Sequence, residues 1–225
     1  MKKILLIEDR LTRQNDLLRT SNISLKEYSD ILDNATANKY EGLYEEFKNS
    51  KFKLNNYLLV MVHKGAFNGE NSEISHQLTE YCKENKISLV RFSGGVSNYY
   101  HKEDNLELME LNSKDFYSQN IRLFLDNFRE NKEIELLILS YGKKWKINVI
   151  LNSLEKINRF IVENENNEDI VYESFINATN FNLVEKIDFK YYQAEVEDGW
   201  VYLEELKKMA QSIGDYVREI ITYGK

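Results

Sequence analysis

The chain has 225 residues, of which 42% are hydrophobic and 30% are charged, and its formal net charge is −7. This composition predicts a globular protein with one large core or two small ones and disfavours intrinsic disorder. Residues 131–225 carry 12 basic and 17 acidic side chains, a net charge of 12 − 17 = −5. A DNA-binding domain needs a clustered basic face, so we expect no nucleic-acid partner.

Cysteine content and apolar runs narrow the possibilities further. The single cysteine, Cys82, excludes an internal disulfide and a zinc site built from cysteines. Only four apolar residues stand between Lys3 and Glu8, too few for a signal-peptide core. No apolar run approaches the roughly 20 residues that cross a bilayer. We therefore expect a cytoplasmic protein without membrane association.

Strand and helix patterns alternate along the first half of the chain. Residues 3–7 (KILLI) form an apolar run that predicts a buried parallel strand. The next strand, between Tyr28 and Ala35, has a weak signal, whereas residues 57–62 (YLLVMV) form the clearest strand of the chain. The remaining elements of this half are predicted as follows: helices over 11–32, 38–49 and 72–85, strands over 87–92 and 106–111 (the latter an edge strand), and a helix from about Ser118.

This alternation predicts the fold class and the domain organisation. Residues 1–130 are expected to form an α/β domain with a flavodoxin-like, doubly wound parallel sheet of five strands. Residues 131–225 show helical spacing alone, which predicts an all-α helical bundle. The apolar stripe from Trp200 to Ile221 is wide enough for a core face and a partner helix. This region is therefore expected to bind a protein partner or to form a homodimer.

The residues at the predicted strand ends resemble a response-regulator receiver site. In a parallel sheet the functional crevice lies beyond the carboxyl ends of the strands. The opening KILLIEDR resembles a receiver's first strand and the acidic pair that holds Mg²⁺, here Glu8 and Asp9. Ser93 matches the family's Ser/Thr switch position, and Lys114-Asp115-Phe116 resembles its Lys-Pro-Phe, with Asp in place of Pro. The resemblance covers roughly residues 1–128.

The third strand departs from the receiver pattern. A receiver places its phosphoaccepting aspartate at the end of this strand, whereas here the strand runs into His63-Lys64-Gly65, with no acid between Tyr57 and Glu70. An aspartate supplies both a nucleophilic oxygen and a hard ligand for Mg²⁺. A neutral imidazole does neither well, and Lys64 is expected to add positive charge at the ion position. The sequence thus predicts a pseudo-receiver with a vestigial site and no catalytic activity.

Several alternatives stay open at this point. Glu8 and Asp9 either retain Mg²⁺ or simply cap the next helix, and Lys114 either pairs with Asp9 or is solvated. The loop Ser93-Gly94-Gly95 is either an anion-binding loop or a plain tight turn. We expect no cofactor and no metal unless Glu8 and Asp9 keep Mg²⁺. The leading hypothesis is a phosphorylation-independent regulatory protein of two-component signalling, and the alternative is a nucleotide- or small-molecule-binding protein, possibly an enzyme, that uses this loop.

Overall fold

The computed structural model describes residues 3–69, 72–103 and 106–223. The chain divides into two compact units, Met1–Lys143 and Lys144–Lys225. The predicted boundary after residue 130 falls within the first unit, because the helix Leu137–Tyr141 packs against the helix Gln119–Asn131.

The first unit is built on a six-stranded sheet whose order is β2-β1-β3-β4-β6-β5. All neighbouring strands are parallel except β5, which is antiparallel to β6. The arrangement is compatible with a flavodoxin-like fold. The strands are β1 (Lys3–Ile7), β2 (Leu32–Ala35), β3 (Tyr57–His63), β4 (Ser88–Ser93), β5 (Tyr99–Glu103) and β6 (Leu106–Asn112).

The strand β5 corrects the prediction of a five-stranded sheet. It pairs with the outer side of β6, so β6 is not the edge strand that its alternation suggested. Parallel neighbours are usually joined by a helix, but only residues 94–105 separate β4 from β6. In this chain the connection contains the added edge strand β5 in place of a helix. The polar sequence of β5, YYHKE, suits an edge that faces water.

Helices pack against the sheet of this unit, and buried side chains lie on both of its faces. The helices are α1 (Leu11–Ser21), α2 (Asn38–Lys48), α3 (Glu73–Glu84), α4 (Ser113–Phe116), α5 (Gln119–Asn131) and α6 (Leu137–Tyr141), with a 3₁₀ turn at Ala66–Asn68. On one face Leu5, Val60 and Leu89 pack with Phe47 of α2 and Leu78 of α3. Because strand side chains alternate, the intervening buried residues of β1 and β3 point to the other face.

The second unit contains a small sheet that the sequence patterns did not predict. Its strands are β7 (Asp169–Val171), β8 (Val196–Glu197) and β9 (Trp200–Tyr202), arranged antiparallel in the order β7-β9-β8. Its helices are α7 (Trp145–Glu163), α8 (Tyr172–Thr179), α9 (Phe181–Val184) and α10 (Leu203–Tyr223). The region is therefore helical in the main, but the prediction that it is all-α is wrong.

The apolar stripe of α10 is largely used within this unit. Leu206, Met209 and Ile213 are buried, and α10 packs along α7. Trp200, the first residue of the predicted stripe, belongs to β9 and is exposed, as is Ile221 near the end of the helix. No helix among the described residues is both long and apolar enough to cross a membrane.

Candidate functional site

The carboxyl ends of β1 and β3 bring an acid and an imidazole together. The register pairs Ile7 of β1 with Val62 of β3, so the next residues, Glu8 and His63, lie beside each other. Glu8 is 1% exposed and His63 is 7% exposed. Asp9 completes the cluster, since Glu8, Asp9 and His63 each offer one ligand atom and these atoms lie within 4.8 Å of one another.

A guanidinium group from α1 holds these three side chains together. Arg13 Nε donates to Glu8 Oε1 at 2.9 Å, and a second guanidinium nitrogen donates to Asp9 Oδ1. The third nitrogen lies 3.0 Å from His63 Nε2. Arg13 projects from the first helical turn after β1, which is why its side chain reaches back over the strand ends. The positive charge beside these side chains is therefore the guanidinium of Arg13.

The segment after β6 contributes a tyrosine to the same cluster. The Tyr117 hydroxyl donates to Glu8 Oε2 at 3.2 Å, while the backbone N–H of Arg10 donates to Glu8 Oε1 at 3.1 Å. Burial and the neighbouring Glu8 raise the pKa of Tyr117. Both oxygens of the buried Glu8 carboxyl thus have hydrogen-bond partners, as a buried polar group requires.

The surroundings of His63 favour the neutral imidazole. Gly65 N–H donates to His63 Nδ1 at 2.9 Å, and the guanidinium of Arg13 faces Nε2. A neutral imidazole accepts at one ring nitrogen, so either tautomer satisfies one of these two donors, whereas the protonated ring would accept from neither. Burial lowers the pKa of His63 to about 4, and the charge of Arg13 acts in the same direction. His63 is therefore uncharged near neutral pH.

The carboxyl of Glu8 is shifted in the opposite direction. Burial raises its pKa to about 7, and a hydrogen bond with Asp9 adds to the rise. The hydrogen bond from the Arg10 backbone and the charge of Arg13 lower it, but they do not outweigh burial. Near neutral pH Glu8 is thus partly protonated, and the cluster carries little net charge.

A magnesium ion does not fit this arrangement. Mg²⁺ prefers hard oxygen ligands in octahedral geometry, whereas one of the three groups here is an imidazole. The Arg13 guanidinium also already bonds to Glu8 and Asp9 and lies against His63. A metal ion would bind these three side chains only after Arg13 had moved away.

Two predicted cations lie elsewhere. Lys64 was expected to place its charge at the ion position, but its ammonium forms an ion pair with Glu110 of β6 at 2.9 Å. Lys114 lies in α4 with an exposed side chain, and the positive partner of Asp9 in the described part of the chain is arginine rather than lysine.

The loop Ser93-Gly94-Gly95 leaves β4 as an exposed turn. The Ser93 hydroxyl lies 3.4 Å from the Gly94 carbonyl oxygen. Gly95 has a φ of 84°, which favours glycine, and a Cβ added at either glycine would meet no atom within 4 Å. The loop leads into β5 and not into a helix, so it lacks the helix N-terminus that often completes a phosphate site.

The loop after His63 is anchored by an aromatic residue. Phe67 has a φ of 55°, and its ring is buried against those of Tyr40 and Phe47, at 5.5 and 5.4 Å between centroids. The backbone N–H of Phe67 donates to the Tyr40 hydroxyl at 2.8 Å. Such a strained backbone persists only where the surrounding contacts fix it. The position of Gly65, which bonds to His63, is thereby held.

Sequence patterns identified three of the five side chains in this cluster, namely Glu8, Asp9 and His63. They missed Arg13 and Tyr117. The spacing of four between Asp9 and Arg13 was a signal for the first, because such residues share one helix face. Comparison of the chain with protein-family models, with curated proteins and with solved structures finds no match.

Proposed function

We propose that the chain is a phosphorylation-independent, receiver-like regulatory protein that acts through protein–protein contacts rather than catalysis. The first half supplies a crevice at the carboxyl ends of β1 and β3 in which phosphoryl transfer is blocked. The second half, residues 131–225, supplies the contact surface. Because folds of this class host many functions, the proposal rests on the site and not on the fold.

The observation that carries the proposal is the contact of Arg13 with Glu8, Asp9 and His63. Phosphoryl transfer to a receiver needs a carboxylate nucleophile and a bound divalent cation. Here the strand end carries a neutral imidazole, and the guanidinium fills the space between the acids. Both requirements are removed by residues that also satisfy each other, which supports a structural role for the cluster.

The test is exposure of the full chain to acetyl phosphate with and without Mg²⁺, followed by intact-mass spectrometry. We expect no covalent phosphate under either condition. A matched sample of the His63→Asp variant shows whether the restored carboxylate is sufficient for phosphorylation while Arg13 is present. A stoichiometric phosphate on any residue of the wild-type crevice would contradict the proposal.

A further inference from the structure

The small sheet of the second unit presents one face outward. Ile170 and Val201 are 4% and 2% exposed, whereas Trp200 and Tyr202 are 51% and 59% exposed. Because side chains alternate along a strand, Trp200 and Tyr202 lie on the same outer side of β9. Two large aromatic rings on one outer sheet face are unusual for a surface that contacts only water.

Acidic side chains flank both rings. The register places Glu197 of β8 opposite Trp200 and Asp169 of β7 opposite Tyr202, and directly opposed residues share a face. Continuing the register of β8 by one residue places Glu195 beside Tyr202. We call this set the acid–aromatic face: Asp169, Glu195, Glu197, Trp200 and Tyr202. A hollow of about 450 Å³ is lined by all five of these residues.

The carboxylates of this face are not neutralised within the described part of the chain. No ion pair joins Asp169, Glu195 or Glu197 to a lysine or arginine in residues 3–69, 72–103 and 106–223. A second hollow that Tyr202 also lines is bordered mainly by acidic and amide side chains, including Glu165 and Glu168, and its basic residue Lys207 is paired with Glu204. The face therefore has an uncompensated negative charge beside exposed aromatic rings.

One lysine of the same unit already shows how such groups hold an ammonium. Lys208 Nζ donates to Glu205 Oε1 at 2.6 Å and lies 5.9 Å from the ring centroid of Tyr192. The Tyr192 hydroxyl donates to the other oxygen of the same carboxylate. This is a carboxylate and an aromatic ring sharing one cation. Trp200 with Glu197, and Tyr202 with Asp169, offer the same pair of groups without an internal lysine.

From this geometry we propose that the acid–aromatic face binds a basic segment of a partner protein through its lysine or arginine side chains. The inference rests on the proposed role of this half in partner binding and adds the partner's chemistry. Extended peptides project alternate side chains at a spacing close to that of Trp200 and Tyr202, two residues apart on β9. Charge complementarity selects a basic partner, since a second copy would bring the same acids face to face.

The experiment is a fluorescence-anisotropy titration of the full chain against a short labelled peptide of alternating Lys and Thr. The same peptide with Glu in place of Lys is the control probe. We expect the lysine peptide alone to bind, with an affinity that falls as NaCl is added. Trp200→Ala should weaken binding about tenfold, and Trp200→Phe, which keeps a ring, should weaken it less.

Matched variants test whether binding requires the acid–aromatic face or only exposed acids and aromatic rings anywhere on the chain. Glu195→Gln with Glu197→Gln should weaken binding about tenfold, since two opposite charges are lost next to the rings. Glu163→Gln with Glu219→Gln, two exposed acids on α7 and α10, and Tyr223→Ala, an exposed tyrosine, should leave binding unchanged.

Three outcomes would overturn the inference. The first is no binding of the lysine peptide by the wild type, and the second is equal binding by wild type and Trp200→Ala. The third is concentration-dependent dimerisation in sedimentation experiments that Trp200→Ala abolishes, because the face would then belong to a second copy. None of these bears on phosphorylation of the crevice, so a failure here is distinguishable from a failure of the proposed function.

Discussion

Two charged regions of this molecule use the same kinds of residue in opposite ways. In the crevice, Glu8, Asp9 and His63 surround one arginine, and Glu8 and His63 are almost completely buried. On the acid–aromatic face the carboxylates and rings are exposed, and no described cation is paired with Asp169, Glu195 or Glu197. A buried charge with an internal partner cannot lose that partner without a large cost in stability, whereas an exposed charge without a partner is available for binding.

The strongest way to break this contrast is to remove the internal partner from the crevice. Arg13→Met keeps an apolar stem but leaves Glu8 and Asp9 without their cation. Removing one partner of a buried ion pair costs about 3–5 kcal/mol, and since Arg13 is 25% exposed we expect about 3 kcal/mol. Urea denaturation at pH 9, where Glu8 with its pKa of about 7 is ionised, measures the loss of unfolding free energy.

Arg10→Met is the matched control for this loss. Arg10 lies 3.7 Å from Asp9, but its side chain is 70% exposed, so its removal should cost less than about 0.5 kcal/mol. Equal losses in the two variants would show that Arg13 is no more than a surface charge.

Arg13→Met should also convert the cluster of Glu8, Asp9 and His63 into a metal site. With Arg13 present, the ligand atoms of Glu8, Asp9 and His63 lie within 4.8 Å of one another, and two carboxylates with an imidazole suit Zn²⁺ better than Mg²⁺. We expect Zn²⁺ at a hundred times its Kd to stabilise Arg13→Met by about 2.7 kcal/mol. Thermal unfolding with and without Zn²⁺ measures this effect.

Adding His63→Asn to Arg13→Met should abolish the stabilisation by Zn²⁺. A wild-type chain stabilised as strongly as Arg13→Met would mean that Arg13 does not compete with a metal.

The opposed pKa shifts of Glu8 and His63 predict a hidden pH dependence. The pKa of Glu8 rises from 4.5 to about 7, so its contribution to stability is present below pH 4.5 and is lost as pH rises through 7. The pKa of His63 falls from 6.5 to about 4, so its contribution is present above pH 6.5 and is lost as pH falls through 4. Between pH 4.5 and 6.5 the pH-dependent changes in stability that Glu8 and His63 cause therefore nearly cancel.

Single substitutions should reveal the pH dependence of stability that each of the two groups causes. Relative to wild type, Glu8→Gln should gain about 2 kcal/mol of stability as pH rises from 4.5 to 6.5, and His63→Asn should lose about 2 kcal/mol over the same range. Denaturation curves at a series of pH values give both slopes. Parallel curves for both variants and the wild type would mean that neither group titrates in this window.

The sequence predicted much of the first unit because its strands are long and apolar. The runs at 3–7 and 57–62 correspond to β1 and β3, and Glu8, Asp9 and His63 meet where parallel strand ends must meet. The role of Arg13 was harder to predict. An arginine on a helix is usually solvated, and only the folded chain places this side chain over the acids. Tyr117 reaches Glu8 across a separation of 109 residues, which no local pattern encodes.

The small sheet was missed for a different reason. Its strands have two or three residues, too few for a period of two to emerge. A turn signal was present, however, in Asp198-Gly199, whose φ values of 49° and 83° fit the tight hairpin that this dipeptide favours. The hairpin also explains why Trp200 is exposed, since it belongs to a strand and not to the apolar stripe of α10.

Apart from the Arg10→Met control, the smallest expected effect on stability comes from the acid–aromatic face itself. Trp200→Ala should lower the unfolding free energy by about 1 kcal/mol, because half of the residue already lies in water and only the other half loses contacts. Its neighbour Val201 is 2% exposed on the opposite side of β9, so Val201→Ala should cost about 2 kcal/mol. Urea denaturation of the two variants side by side measures the difference. A costly Trp200→Ala would indicate that the ring packs within the protein and is not free for a partner, and the contrast between the two charged regions would then fail.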